Sequence, residues 1–267
     1  MTERWAGNGV RAVAAAMLLV LGVGCATVPE TGRRQFILIS SQQEMQLGAT
    51  AFSQMKEAVP VSKDTAAQAM VERVGQRIAA VAPLPGAEWE FVLFESPEVN
   101  AFCLPGGKVG IYAGILPITQ TEAGLATVIG HEVAHAVARH GAERMSEAVA
   151  MQVGGSVLDF SLQRVDSDPH WQSAAVTAYG LGAKLGRELP HSRRQESEAD
   201  YLGMLYMARA EYDPEEAIRF WERFKAFNEA QGAGATPWFL RTHPLDEVRI
   251  QELREVLPEA QRQYRPQ

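Results

Sequence analysis

The stretch VIGHEVAHAVARHG, residues 128–141, constrains this chain more than any bulk property. Residues four apart on an α-helix lie about 40° apart around its axis. His131 and His135 therefore project from one face and can grip a single metal ion. Glu132 lies about 100° round from His131, badly placed as a third ligand but within reach of a water at the metal. The apolar run LATVIG ahead of the motif predicts a buried helix, where two histidines need a reason to be. A catalytic centre of this kind also needs a third ligand and a place for a substrate.

RRQESEADYLGMLYMA, residues 193–208, offers the third ligand. Glu196 and Asp200 are again four apart on an expected helix. Glu196 completes a His, His, Glu set with a position left for water, the open arrangement of catalytic zinc. Asp200, one turn on, can accept the other ring N–H of a zinc histidine and fix its tautomer. Glu198 is read as a solvated charge. RTHPLDEVR, residues 241–249, follows a glycine-containing loop. His243 precedes a proline and so belongs on extended chain, and Arg249 falls about two turns into the last helix. His140, about 140° from His135 in projection, is read as helix-end chemistry.

Taken in order, TGRRQF, NAFCLPGGKVGIYAGIL, GHEVAHAVARHGAER, ESEAD and THPLDEVR resemble metallopeptidase family forty-eight. These are the gluzincins that include the HtpX, Oma-type and CAAX-prenyl proteases. The resemblance implies a zincin-type metallopeptidase domain holding one zinc ion per chain. With zinc polarising the scissile carbonyl, Glu132 would act as general base and then as acid toward the leaving amine. It places His243 beside the metal, where two roles stay open: donor to the oxyanion, or fourth ligand keeping the enzyme latent. Arg249 either supports the oxyanion or pairs with an acid. The strand of Asn100, Ala101, Phe102 and Cys103 would run beside the zinc helix. A strand edge there can bind an extended peptide through its backbone. The branch resembled most handles misfolded or misassembled envelope proteins, which are the expected substrates. A protease-fold chaperone or assembly factor for outer-membrane proteins is the competing reading. A purely structural zinc site would have no use for Glu132.

The rest of the pattern predicts an α+β fold, mostly helical, with a small β-sheet beside the active-site helix. Helices are expected over 41–59, with a capping box starting at Ser41, and over 65–81, 121–140, 142–162, 171–185, 192–210, 214–230 and 245–256. Gly141 is the expected cap of the motif helix. Strands are expected over 88–95, 101–104 and 108–113. The 267 residues carry a net charge of −7 with no basic run, which argues against nucleic acid as a partner. Residues 1–24 combine Arg4 and Arg11 with the apolar run AVAAAMLLVLGVG, too short to span a bilayer comfortably, and read as a lipoprotein-type signal peptide. Cys25 would then carry lipid, residues 25–40 would be a tether, and 41–267 the catalytic domain. The expected location is the periplasmic face of the outer membrane, with inner-membrane anchoring or a soluble periplasmic form as alternatives. Without lipid, Cys25 is free to pair with Cys103, the only other cysteine.

Overall fold

The computed structural model describes residues 25–164, 189–231, 236–245 and 247–266; the signal segment and the helix expected over 171–185 lie outside them. The fold is α+β and mostly helical. The described residues begin with a small hairpin, β1 (Cys25–Thr27) against β2 (Arg34–Phe36). Val28 is fully buried beside it, and Arg33 is buried among carboxylates. The segment expected to be a tether is thus packed onto the domain.

Helix α1 (Ser41–Ala58) has its capping box one residue earlier than expected. The Ser40 hydroxyl accepts from the Gln43 N–H at 3.3 Å, and the Gln43 side chain accepts from the Ser40 N–H at 3.0 Å. That frees Glu44 to meet Arg139 at 2.8 Å. Helix α2 (Thr65–Ala79) is capped by Asp64, which accepts from the N–H groups of Ala66 and Ala67. Its buried Val71, Val74 and Ile78 form the apolar stripe of an amphipathic helix, and α2 packs on β3 (Glu90–Phe94). Strands β4 (Ala101–Leu104) and β5 (Lys108–Tyr112) complete a sheet of order β3-β5-β4. β3 runs parallel to β5 and β4 antiparallel to it. Gly106 and Gly107, at φ of 85° and 81°, make the turn between β4 and β5. β4 is one edge of the sheet, with no second strand partner among the described residues.

A short 3-10 turn (Ala113–Ile115) and α3 (Leu116–Thr119) lead to the motif helix α4 (Glu122–Val137), capped by Thr121. α4 is buried on nearly every side, because β4 covers one flank and α6 (Leu189–Arg209) another. It ends earlier than the sequence suggests. Arg139 takes the left-handed conformation, φ 57°, so a new helix α5 (His140–Arg164) starts at once and Gly141 is not the cap. Arg139 is held there by Glu44 and by the Ile39 carbonyl, at 2.8 and 3.1 Å. After α6 come α7 (Glu215–Ala230), the short α8 (Trp238–Thr242) where a loop was expected, and α9 (Glu247–Gln263). α9 runs past its expected end, through Pro258, because Ala260 continues its buried face. The aromatic residues of α7 are core: Phe220, Trp221 and Phe224 are buried, and Trp221 and Phe224 stack with Phe239 of α8.

The contact that positions the site is α4 on α6. Gly130 and Gly203 face each other there without side chains. A Cβ on Gly203 would stand 2.8 Å from the His131 backbone nitrogen and 2.9 Å from the Gly130 carbonyl carbon. A Cβ on Gly130 would stand 2.9 Å from the Gly203 carbonyl oxygen. Backbone cannot swing aside as a side chain can. Gly203→Val is therefore expected to cost about 2–3 kcal/mol by overpacking, read as a lower urea midpoint. Gly141→Ala, where nothing lies within 4 Å, is expected to leave that midpoint unchanged or raise it. Equal midpoints for Gly203→Val and the wild type would refute the close contact.

Candidate metal centre and cleft

His131 and His135 leave the same face of α4 and meet Glu196 from α6. Their Nε2 atoms are 3.1 Å apart. His131 Nε2 lies 3.4 Å from Glu196 Oε2, and His135 Nε2 lies 3.4 Å from Glu196 Oε1. His243, just after α8, adds its Nδ1 at 3.1 Å from Glu196 Oε2 and 3.2 Å from His131 Nε2. One ligand atom from each of these four buried residues falls within 4.8 Å of the others.

Each side chain is held from behind. Asp200 stands 3.0 Å from His131 Nδ1 and accepts its N–H. Arg249 grips Asp200 with two bonds, Nε at 2.7 Å and a terminal nitrogen at 2.8 Å. It also donates to the Pro244 carbonyl at 2.8 Å and lies over the Trp221 ring. Of the two roles left open for Arg249, the structure shows the pairing with acids: it faces Asp200 and Glu196 and is not among the residues lining the cleft. Its place is to orient Asp200, hence His131 and the loop carrying His243. On the other side, His140 Nδ1 is 2.8 Å from His135 Nδ1, and His140 Nε2 is 2.9 Å from Glu198. The break at Arg139 accounts for this: in a continuous helix His140 would point elsewhere. Glu198, expected in solvent, is buried; it bonds Arg33 at 2.7 Å and accepts from Thr31.

Burial opposes charge on His131, but bonds to Asp200 and Glu196 outweigh it and lift the imidazole to about 9. Burial dominates at His135 and drives it well below the usual range. Burial also favours a neutral Glu196, yet the surrounding histidines hold its carboxyl well below normal. The negative charge that retains a proton on His131 would equally retain a cation. Glu196 Oε1 is buried with no hydrogen-bond partner. Two ring nitrogens and a carboxylate converging this way make a donor set that fits a divalent metal such as zinc.

Beside the cluster is a cleft of about 370 Å³. Asn100, Ala101, Phe102 and Cys103 line one wall, and Glu132, His135 and His243 reach it from the other. Glu132 is 3% exposed, with Oε1 unpartnered and 3.4 Å from His243 Nε2. Burial pushes its carboxyl above the usual range. Cys103 is a free thiol, pushed far up by burial and by Glu132, and so is poorly nucleophilic.

The model of peptidase family M48 matches residues 65–257, with the cluster and the cleft wall inside the match. The chain belongs to peptidase family M48. It is 36% identical over 243 residues to the mitochondrial metalloendopeptidase OMA1 of Schizosaccharomyces pombe, covering 88% of this chain and 67% of that protein. It is 33% identical to OMA1 of Saccharomyces cerevisiae, over 88% of this chain and 70% of that one. It is 29% identical to the β-barrel assembly-enhancing protease of Escherichia coli K12, over 85% of this chain and 46% of that protein. This M48 chain is a metalloendopeptidase, a hydrolase of peptide bonds.

Sequence reasoning missed Gly130, Gly203, His140, Glu198 and Arg33. Signals for the glycines were present, since a glycine inside a helix costs about 1 kcal/mol against alanine and asks for a packing reason. The network around Glu198 has a pH signature. Burial works to protonate Glu198, but His140, Thr31 and Arg33 hold it at about 2. A carboxyl lowered on folding stabilises the fold above its unfolded value and loses that contribution as pH falls through the folded one. The destabilisation caused by Glu198→Gln is therefore expected to be full at neutral pH and to shrink between about pH 4.5 and 2. Urea unfolding of both proteins across that range measures it; a pH-independent difference would exclude the assigned shift.

Proposed function

We propose that this chain is a zinc endopeptidase of the bacterial cell envelope, cutting misfolded or misassembled envelope proteins. The observation that carries the catalytic half is Glu132, a buried carboxylate with an unpartnered oxygen beside His131, His135 and Glu196. Those three would hold the ion, which when bound polarises the scissile carbonyl and acidifies water. Asp200 keeps the His131 ring oriented through its Nδ1–H. Glu132 removes the proton from the attacking water at Oε1 and returns it to the leaving amine. The edge strand β4 takes the substrate in extended form, its backbone pairing with little regard to sequence. Such loose selectivity suits a protease of unfolded clients.

The envelope setting is supported by the lipoprotein-like start, with Cys25 as the lipid-bearing residue, and by the similarity to the E. coli β-barrel assembly-enhancing protease. No helix among the described residues is long and apolar enough to cross a membrane. A latent protease or assembly factor is the second reading. It is favoured by the His243 Nδ1 lying among the ligand atoms.

Glu132→Gln is expected to abolish casein degradation while keeping zinc content and the folded circular dichroism spectrum. Retained proteolysis would remove Glu132 from the mechanism. The same assay separates the two roles of His243. As a fourth ligand it restrains the enzyme, so His243→Ala at saturating zinc is expected to raise turnover. A fall of a hundredfold or more, the size of a lost oxyanion donor, would assign His243 to transition-state stabilisation instead.

A further inference from the structure

We propose that His140, held by Glu198 and Arg33, is a positioning residue that decides which nitrogen of His135 faces the ligand cluster. The inference rests on reading His131, His135 and Glu196 as metal ligands.

An imidazole that binds a metal must offer a bare nitrogen, and a neutral ring has one bare and one protonated. For His131 the choice is made by Asp200. His135 has no carboxylate at its Nδ1; it has another imidazole, at 2.8 Å. Two neutral rings facing each other are ambiguous unless something fixes the far end. Glu198 fixes it. An ionised carboxylate only accepts, so His140 Nε2, 2.9 Å from Glu198 Oε2, carries the hydrogen. His140 Nδ1 is then bare and accepts from His135 Nδ1–H. His135 Nε2 is left bare and aimed at His131 Nε2 and Glu196. The order of donation runs from His135 to His140 to Glu198.

Glu198 is itself kept ionised and still. Arg33 Nε bonds it at 2.7 Å. The other end of that guanidinium grips Glu143 with two bonds, at 2.8 and 2.9 Å, and Gln195 donates to Glu143 at 2.7 Å. Arg33 comes from β2's approach, Glu143 from α5 and Glu198 from α6, so three parts of the fold must dock before the Glu198 carboxylate is set. His140 is fully buried and does not itself line the cleft. Its effect is transmitted through His135 alone.

The test is zinc affinity of the full chain at neutral pH, by competition with a chromophoric chelator. His140→Leu is expected to raise the zinc dissociation constant about 10–100-fold, the usual effect of losing a partner behind a metal-bound histidine. His140→Gln is expected to recover most of it, because an amide can accept from His135 and donate to Glu198. Wild-type affinity in His140→Leu, or no recovery in His140→Gln, would overturn the proposal. Nitrogen-15 spectra of the histidine rings in chelator-treated wild type give a reading that needs no variant to fold. They should show His135 protonated at Nδ1; a proton at Nε2 would overturn the proposal. A wild type that takes up no zinc, or a His135→Ala variant that binds it equally well, would instead remove the metal reading and this inference with it.

Discussion

Two helices touching at backbone distance set everything else in the site. Gly130 and Gly203 let α4 and α6 approach until the main chain of one rests on the main chain of the other. His131 follows Gly130 directly, and Glu196 and Asp200 lie about two turns and one turn before Gly203. Short side chains can then converge on one point without bending. Side chains at this crossing would push the helices apart, and a carboxylate that reaches His131 from contact distance would fall short. The rigidity of the site comes from this crossing and from the sheet beneath it, and only His243 arrives on a connecting segment.

The remaining requirement is electrostatic. Buried charges are costly unless paired and hydrogen-bonded, and removing one partner of a buried pair costs about 3–5 kcal/mol. The fold meets this with two arms of like design. In one, Arg249 holds Asp200 and Asp200 holds His131. In the other, Arg33 holds Glu198, Glu198 holds His140 and His140 meets His135. Each arm ends on a ring nitrogen facing away from the cluster, so ligand orientation and charge compensation are served by the same bonds.

What could be read from the sequence was what depends on local periodicity. His131 with His135, and Glu196 with Asp200, are pairs on one helix face, and β4 shows in its residue types and flanking turn. Their mutual approach was inferred by chemical complementarity and by resemblance, since spacing along a chain says nothing about distance between helices. His140 escaped because its projection assumed an unbroken helix, whereas Arg139 adopts a left-handed turn stabilised by Glu44 and Ile39, residues far away in sequence. Glu198 escaped because it sits about 200° from Glu196 on the same helix, and nothing local says that this second face is also covered. Arg33 looked like part of a linker for the same reason: its partners, Glu143 and Glu198, are remote. Arg249 was found, but whether it faced substrate or a carboxylate required coordinates.

The two arginines lie far apart in the sequence, Arg33 beside the β1–β2 hairpin and Arg249 in α9. Domains grow from the N-terminus during synthesis. The growing chain thus holds Arg33, both motif histidines and Glu132 well before Arg249 has been made. Until the last helix docks, Asp200 has no guanidinium to fix it and His243 no anchored carbonyl beside it. Assembly of the site is thereby tied to docking of the helix that carries Arg249.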